Sequence, residues 1–399
     1  MKKPLILILS VFLYYFSESQ GYVTPLTNGS NIIVGAERTD QYFPLIKNKR
    51  IGLVVNPSSV VKGSHLVDTL FKSGIKISGI FAPEHGFRGN YGAGDKVSNE
   101  VDQKTGLKIF SLYGENKKPK KEWLKNMDII IFDIQDVGVR FYTYISTLHY
   151  VMEACAENNI ELIVLDRPNP NGFYIDGPIL EKGFSSFVGM HPVPIVHGCT
   201  IGEYADMING ENWLSNGLKC KLKVVECLKY DHQTEYELPI KPSPNLPNQA
   251  SIYLYPSLCF FEGTDVSVGR GTDFPFNAVG APWYKNGNFE FTPVSIPGVA
   301  PNPPHLNKLC KGYKLESFGQ HMMPALKSIH LDWLIEFYQN SPDKAKFFNS
   351  FFDKLAGTDQ LRKMIIEGKN PNEIRESWKK GLEDYKKIRA KYLRYPDFY

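Results

Sequence analysis

Five short apolar runs recur through the first half of the chain, at residues 51–55, 75–81, 107–112, 128–134 and 160–165, with helical patterns between them. This alternation constrains the fold more than any other feature. Strands joined through helices pair in parallel, because each crossover returns the chain to the same end of the sheet. Ile51-Gly-Leu-Val-Val55 and Ile129-Ile-Ile-Phe132 are apolar without alternation, the mark of strands covered on both faces. The spacing predicts an α/β fold with a Rossmann-like, doubly wound, mostly parallel sheet. Helices are expected over 65–73, 119–125 and 141–158, the last from Ile145, Leu148, Met152 and Cys155 at three- and four-residue steps. A helical lead-in is expected within 32–50.

Every strand exit is polar: Asn56, Glu84, Tyr113, Gln135 with Asp136, and Asp166 with Arg167. In open α/β sheets the carboxyl ends of the strands share one edge, where ligands bind, so these side chains are expected to converge. His197 joins them if 193–196 is a sixth strand. Thr200 then caps a helix over 201–214, with Glu203 completing a capping box. The richest exit is Ala82-Pro-Glu-His-Gly-Phe-Arg-Gly89. Proline has no N–H for the ladder, so the strand stops at Pro83, and Glu84, His85 and Arg88 follow on a loop. A polar loop in which Glu84 pairs with Arg88 is the plain alternative to a functional site.

The N-terminus has Lys2-Lys3, a mostly apolar stretch over 5–16 and a polar exit at Ser17-Glu-Ser-Gln20. That is the form of a secretory signal peptide, and the stretch is short for a membrane span. Residues 1–20 are assigned to export, which places the mature chain outside the inner membrane with no stable span. A net charge of +4 with no basic block gives no footprint for nucleic acid. Cys220 and Cys227 lie seven apart in an alternating segment, 218–228, and so face opposite sides of a strand. The cysteines read as small core residues.

The character of the chain changes near residue 235. Lys241-Pro-Ser-Pro-Asn-Leu-Pro-Asn248 has three prolines in eight residues and reads as an extended crossover. It divides a catalytic domain over 21–240 from a smaller, mixed or helical auxiliary domain over 241–399 that closes a cleft. Helices are expected there over 331–338, 344–355, 359–367 and 371–389.

Several chemistries lack their motifs: no G-x-S-x-G elbow, no H-E-x-x-H, no phosphate-binding G-x-x-x-x-G-K-[ST]. No cofactor or metal framework is expected, although Asp133, Asp136, His85 and His197 leave a metal-dependent reading open. Carboxylate chemistry remains. Glycoside cleavage needs an acid to protonate the leaving oxygen and a second group to activate water or steady the oxocarbenium ion. Glu84 is the best-placed acid, with Phe81 and Phe87 expected beside it. Asp136, Asp166, Glu262 and Asp265 are candidates for the partner. Arg88, Arg140, Arg167 and Arg270 point to an anionic ligand, because guanidinium grips carboxylate bidentately.

Four stretches carry a resemblance: Ala82 to Gly89, Phe132-Asp-Ile-Gln-Asp-Val-Gly-Val-Arg-Phe-Tyr-Thr-Tyr144, Asp166-Arg-Pro-Asn-Pro-Asn-Gly172 and Glu262-Gly-Thr-Asp-Val-Ser-Val-Gly-Arg-Gly-Thr272. From about Ile51 to its end the chain resembles the exo-lytic β-N-acetylmuramidases of the NamZ type, formerly a domain-of-unknown-function family. The resemblance implies a Rossmann-like domain with a catalytic glutamate, an auxiliary domain, and a cleft between them. It implies release of N-acetylmuramic acid from the non-reducing end of peptidoglycan fragments, which for an exported chain means the periplasm. The catalytic glutamate then falls on Glu84, with His85 and Asp136 tuning it or placing water. Arg140 or Arg270 would hold the lactyl carboxylate that distinguishes muramic acid. Asn56, Arg88, Gln135, Tyr142, Asp166, Arg167, His197 and Glu262 are the further substrate-binding candidates. A muramyl-sugar-binding protein without activity and a metal-dependent cell-wall amidase are the alternatives.

Overall fold

A computed structural model describes residues 27–29, 31–84, 86–88 and 100–399. The signal-peptide assignment and His85 lie outside the described residues. The main sheet has seven strands: β1 Arg50–Val55, β2 Lys76–Ala82, β3 Glu100–Val101, β4 Lys108–Ser111, β5 Ile129–Asp133, β6 Glu161–Leu165 and β7 Lys221–Val225. Their order is β7-β6-β5-β1-β2-β4-β3, parallel throughout except for β3 against β4. All five residues of β5 are buried, whereas the edge strand β7 buries only Val225. The unalternating apolar runs therefore mark the middle of the sheet, which has helices on both faces.

The two faces build separate cores. Ile51, Leu53, Val55, Ile129, Ile131 and Ile163 pack with helices α1 (Thr39–Ile46) and α2 (Leu66–Lys72). The alternate residues Val54, Ile130, Phe132, Leu162 and Val164 face the other way, onto α4 (Tyr144–Glu157) and α5 (Ile201–Gly210). The short α3 is Lys121–Leu124. That second core continues without a break into the C-terminal region, through Tyr253, Phe260, Phe337 and Trp378. The fold is thus a doubly wound α/β sheet with a mixed, largely helical C-terminal region laid on one of its faces.

The C-terminal region opens with α6 (Gln249–Leu258), which Asn248 and Ser251 start as a capping box. A three-stranded antiparallel sheet follows, β8 (Ala278–Ala281), β9 (Phe289–Phe291) and β10 (Cys310–Lys314), in the order β8-β10-β9. Then come α7 (Glu316–His321), α8 (Met323–Leu326), α9 (Asp332–Asn340), α10 (Lys344–Phe347), α11 (Phe352–Ala356), α12 (Gln360–Ile366) and α13 (Pro371–Arg389). Asn370 caps α13 with Glu373 completing the box, and Pro371 occupies the first turn, where its missing N–H costs nothing. Trp378 and Tyr385 are both buried, and the Tyr385 hydroxyl donates to the His197 carbonyl at 2.7 Å.

Three expectations fail locally. Residues 193–196 form no strand of the sheet: Val196 makes only isolated bridges, to Val139 and Asp176, and the sixth parallel strand is Lys221–Val225 instead. The helix expected over 344–355 breaks into α10 and α11, because Asp265 N–H and Asn349 N–H spend their bonds across the gap, on the Phe347 and Gly263 carbonyls. The helix expected from residue 141 starts at Tyr144. The capping box of Thr200 and Glu203 on α5 forms as expected. All six cysteines are free and buried; Cys220 packs in the α4/α5 core and Cys227 against Tyr230 and Tyr395.

Candidate active site

The natural place for a ligand in this topology is the crevice between β1 and β5, where the strand order reverses. Here the chain fills it with its own hydrogen bonds. Asn56 Oδ1 accepts from the Ser58 N–H at 2.9 Å and from its hydroxyl, and Ser58 Oγ accepts from the Gln135 N–H at 3.0 Å. Ser59 Oγ donates to the Asp133 carbonyl. Gln135 spends its side-chain amide on the carbonyls of Asp136 and Pro168, at 2.8 and 2.7 Å. Asn56 and Gln135 are both buried and spend these bonds on the framework.

The open site is displaced toward the C-terminal region. It is a cleft of about 240 Å³ walled from both halves of the chain. Glu84, Tyr113 and the stretch Phe141 to Tyr144 come from the sheet side; Tyr255, Glu262, Arg270 and Phe276 come from the other. Ser243, Asn245 and Leu246 of the Pro-rich crossover also line it.

Pro83 ends β2, and Glu84 is the next residue out. Its Oε2 accepts from Thr143 Oγ1 at 3.0 Å. Thr143 stands immediately before α4, which is why the helix starts late: Phe141, Tyr142 and Thr143 are cleft wall instead of helical turn. Tyr142 donates to the Pro242 carbonyl at 2.8 Å. Burial pushes its phenol well above the ordinary range, with the nearby Tyr144, Tyr255 and Asp136 adding to the effect, and burial does the same to Tyr144. Both are protonated hydroxyls at any physiological pH.

Across the cleft, Arg270 Nε donates to Glu262 Oε1 at 2.5 Å, and its guanidinium lies 5.2 Å from the Phe276 ring centre. The other two guanidinium nitrogens have no hydrogen-bond partner among the described residues. Of the four carboxylates considered as partners for Glu84, only Glu262 lines the cleft with it. Asp265 is exposed, bonded to Trp283 Nε1 at 3.1 Å.

The remaining sequence candidates lie elsewhere, for physical reasons. Arg140 is fully buried, and its guanidinium donates to four carbonyls, Pro178, Val193, Leu355 and Ala356, at 2.6 to 3.1 Å. It closes the C-terminal end of α11, where carbonyls lack helical partners, and presents no surface to the cleft. Arg167 makes a buried bidentate pair with Asp133, at 2.6 and 3.0 Å. Arg88 bridges Asp102 and Asp68 and rests on Phe87. Asp166 is sealed by the Tyr395 hydroxyl at 2.6 Å, the Thr200 hydroxyl at 2.7 Å and the Gly202 N–H at 2.8 Å. Phe81 packs on Phe110 and Phe87 against His65, so the apolar surroundings of Glu84 come from Phe141 and the tyrosines instead.

Asp136 and His197 pair behind the cleft, 3.7 Å apart. Asp136 Oδ2 accepts from the Gly138 N–H, and His197 Nδ1 from the Cys199 N–H. Neither lines the cleft. Thr143, Tyr144 and Asn245 also line the cleft, without a sequence signal that singles them out. The first two sat inside a recognised motif without a role, and Asn245 was hidden in a segment read as a mere connector.

Two family models together cover most of the chain: exo-β-N-acetylmuramidase NamZ, N-terminal, over residues 51–250, and its C-terminal counterpart over 253–395. The chain is 42% identical over 374 residues to the peptidoglycan β-N-acetylmuramidase NamZ of Bacillus subtilis, covering 89% of each. A crystal structure of a DUF1343 family protein from Bacteroides fragilis matches with a TM-score of 0.86 at 50% identity, over 92% of this chain and all of that one. A second from the same organism matches at 0.76 and 29% identity, over 91% of this chain and 99% of that one. With both halves matched and the two-part α/β architecture shared, the chain belongs to the NamZ family of exo-β-N-acetylmuramidases.

Proposed function

We propose that Glu84 is the general acid with which this exo-β-N-acetylmuramidase removes N-acetylmuramic acid from the non-reducing end of peptidoglycan fragments. The observation that carries the assignment is the carboxylate content of the cleft. Glu84 and Glu262 are its only acidic lining residues among those described, and they stand on the two halves of the chain. Most glycosidases use two such groups. Glu84 delivers a proton to the leaving oxygen as the bond to the anomeric carbon breaks. Glu262 steadies the positive charge that develops on the sugar or takes the proton of the entering water. Thr143 orients Glu84, and Arg270 orients Glu262.

Arg270 also explains the choice of sugar. Of Arg88, Arg140, Arg167 and Arg270, it alone lines the cleft. With Nε on Glu262, its other edge faces the lactyl carboxylate in the planar geometry that guanidinium favours. The name of the Bacillus relative supports peptidoglycan as the polymer. The charged, apolar, polar order of the first twenty residues supports export to the periplasm, where that polymer lies.

The test is release of a chromophore from a β-linked N-acetylmuramic acid glycoside beside its N-acetylglucosamine counterpart. Hydrolysis of the first and neglect of the second is the expected result. Binding of both sugars with hydrolysis of neither would replace the enzyme with a sugar-binding protein.

A further inference from the structure

The cleft floor contains an acceptor with nothing to accept. Asn245 is 4% exposed. Its Nδ2 reaches the Val299 carbonyl at 3.4 Å, so the amide oxygen is the atom left over. That Oδ1 is buried and has no donor among the described residues. Buried polar atoms are almost always paired, and a lone one inside a binding cleft calls for a ligand that supplies the missing donor. Leu246, Tyr255 and Phe276 line the same space, the two rings meeting edge to face at 5.0 Å.

An acceptor and an apolar wall in one cleft complement the N–H and the methyl of an acetamido group. We propose that Asn245, with Tyr255 and Phe276, forms the subsite for the 2-acetamido group of the terminal sugar, Asn245 Oδ1 accepting its N–H. The inference rests on the reading of that sugar as N-acetylmuramic acid. The placement of Arg270 agrees with it. The acetamido and lactyl substituents sit on adjacent ring carbons, C2 and C3. Arg270, which takes the lactyl carboxylate, lies 5.2 Å from the ring of Phe276, which takes the acetyl methyl. The anion site and the acetyl wall therefore adjoin as the two substituents do. The crossover is then a specificity element, and the Tyr142 and Tyr144 hydroxyls hold it in place through the Pro242 carbonyl, at 2.8 and 3.4 Å.

Product inhibition tests this without depending on how the bond is cleaved. N-Acetylmuramic acid and 3-O-lactylglucose differ only in acetamido against hydroxyl at C2. Wild-type enzyme should bind the first at least about tenfold more tightly. In Asn245→Ala the inhibition constant of the acetamido sugar should rise about tenfold while that of the hydroxyl sugar stays put. Asn245→Asp keeps an acceptor at the same point and should keep the preference. Equal binding of the two sugars by wild type, or an equal change for both in Asn245→Ala, overturns the subsite. If wild type hydrolyses the muramic glycoside and yet shows no preference, the subsite alone fails. If it does not hydrolyse that glycoside, the reading beneath fails as well.

Discussion

Thr143 Oγ1 donates to Glu84 Oε2 across 3.0 Å, joining the exit of β2 to the start of α4. The two residues are 59 apart in the chain. The bond fixes one oxygen of a carboxylate that lines the cleft. A Thr143→Val variant keeps the shape and loses the donor. It should lower kcat about tenfold with KM nearly unchanged, since an orienting contact matters most at the transition state. Steady-state kinetics of Thr143→Val beside Thr143→Ser would check this, with the serine variant retaining most of the activity.

Replacing Glu84 by glutamine removes the transferable proton and leaves the size of the side chain alone. Turnover should fall by roughly a hundred- to ten-thousand-fold, the usual worth of a positioned acid. Product affinity and melting temperature should stay at wild-type values. Near-normal turnover in Glu84→Gln would remove the acid assignment.

Arg270 and Arg140 should fail in opposite ways. Arg270→Lys keeps the charge and loses the planar fork. The ratio of kcat/KM between muramic and N-acetylglucosamine glycosides should drop about tenfold, most of it in KM. Arg140→Met strands four buried carbonyls. It should cost about 2–4 kcal/mol in a urea titration while the folded fraction keeps its KM. An Arg140 variant that folds normally and loses sugar binding would restore the role given to it by the sequence alone.

Asp166 gives the fold a pH dependence. Burial raises its carboxyl, hydrogen bonds from Tyr395, Thr200 and the Gly202 N–H pull it back, and it settles at about 6. The unfolded chain releases that proton near the ordinary 3.8, so between these values the folded state holds more protons. Stability should then fall as pH rises from about 4 to about 6, by about 3 kcal/mol. Chemical unfolding of wild type and Asp166→Asn across that range should show the slope in the first and its loss in the second. A wild-type slope of the opposite sign, still present in the variant, would refute it.

Much of this architecture was legible before any coordinates. Uniform apolar runs marked β1 and β5, because a strand buried on both faces has little room for a polar position. Pro83 announced the end of β2, and Thr200 with Glu203 announced α5. Glu84 stood out because a proline-ended strand must leave the next residue at the sheet edge. These signals act over a few residues, and a sequence displays such local physics directly.

Tertiary structure alone decided which polar exits became a site. Gln135, Asp166 and Arg167 sit at strand exits as expected, yet each is consumed by a partner distant in the chain, while Asn56 Oδ1 is taken by Ser58 beside it. Arg140 is taken by carbonyls 38 to 216 residues away, and Asp166 by Tyr395, 229 residues on. Nothing in the local pattern separates an arginine that will meet such carbonyls from one that will meet a ligand. The strand exits could be read from periodicity. Which of them stayed open depended on where the C-terminal region came to rest, and it came to rest over Glu84, leaving Glu262, Arg270 and Asn245 around the same cleft.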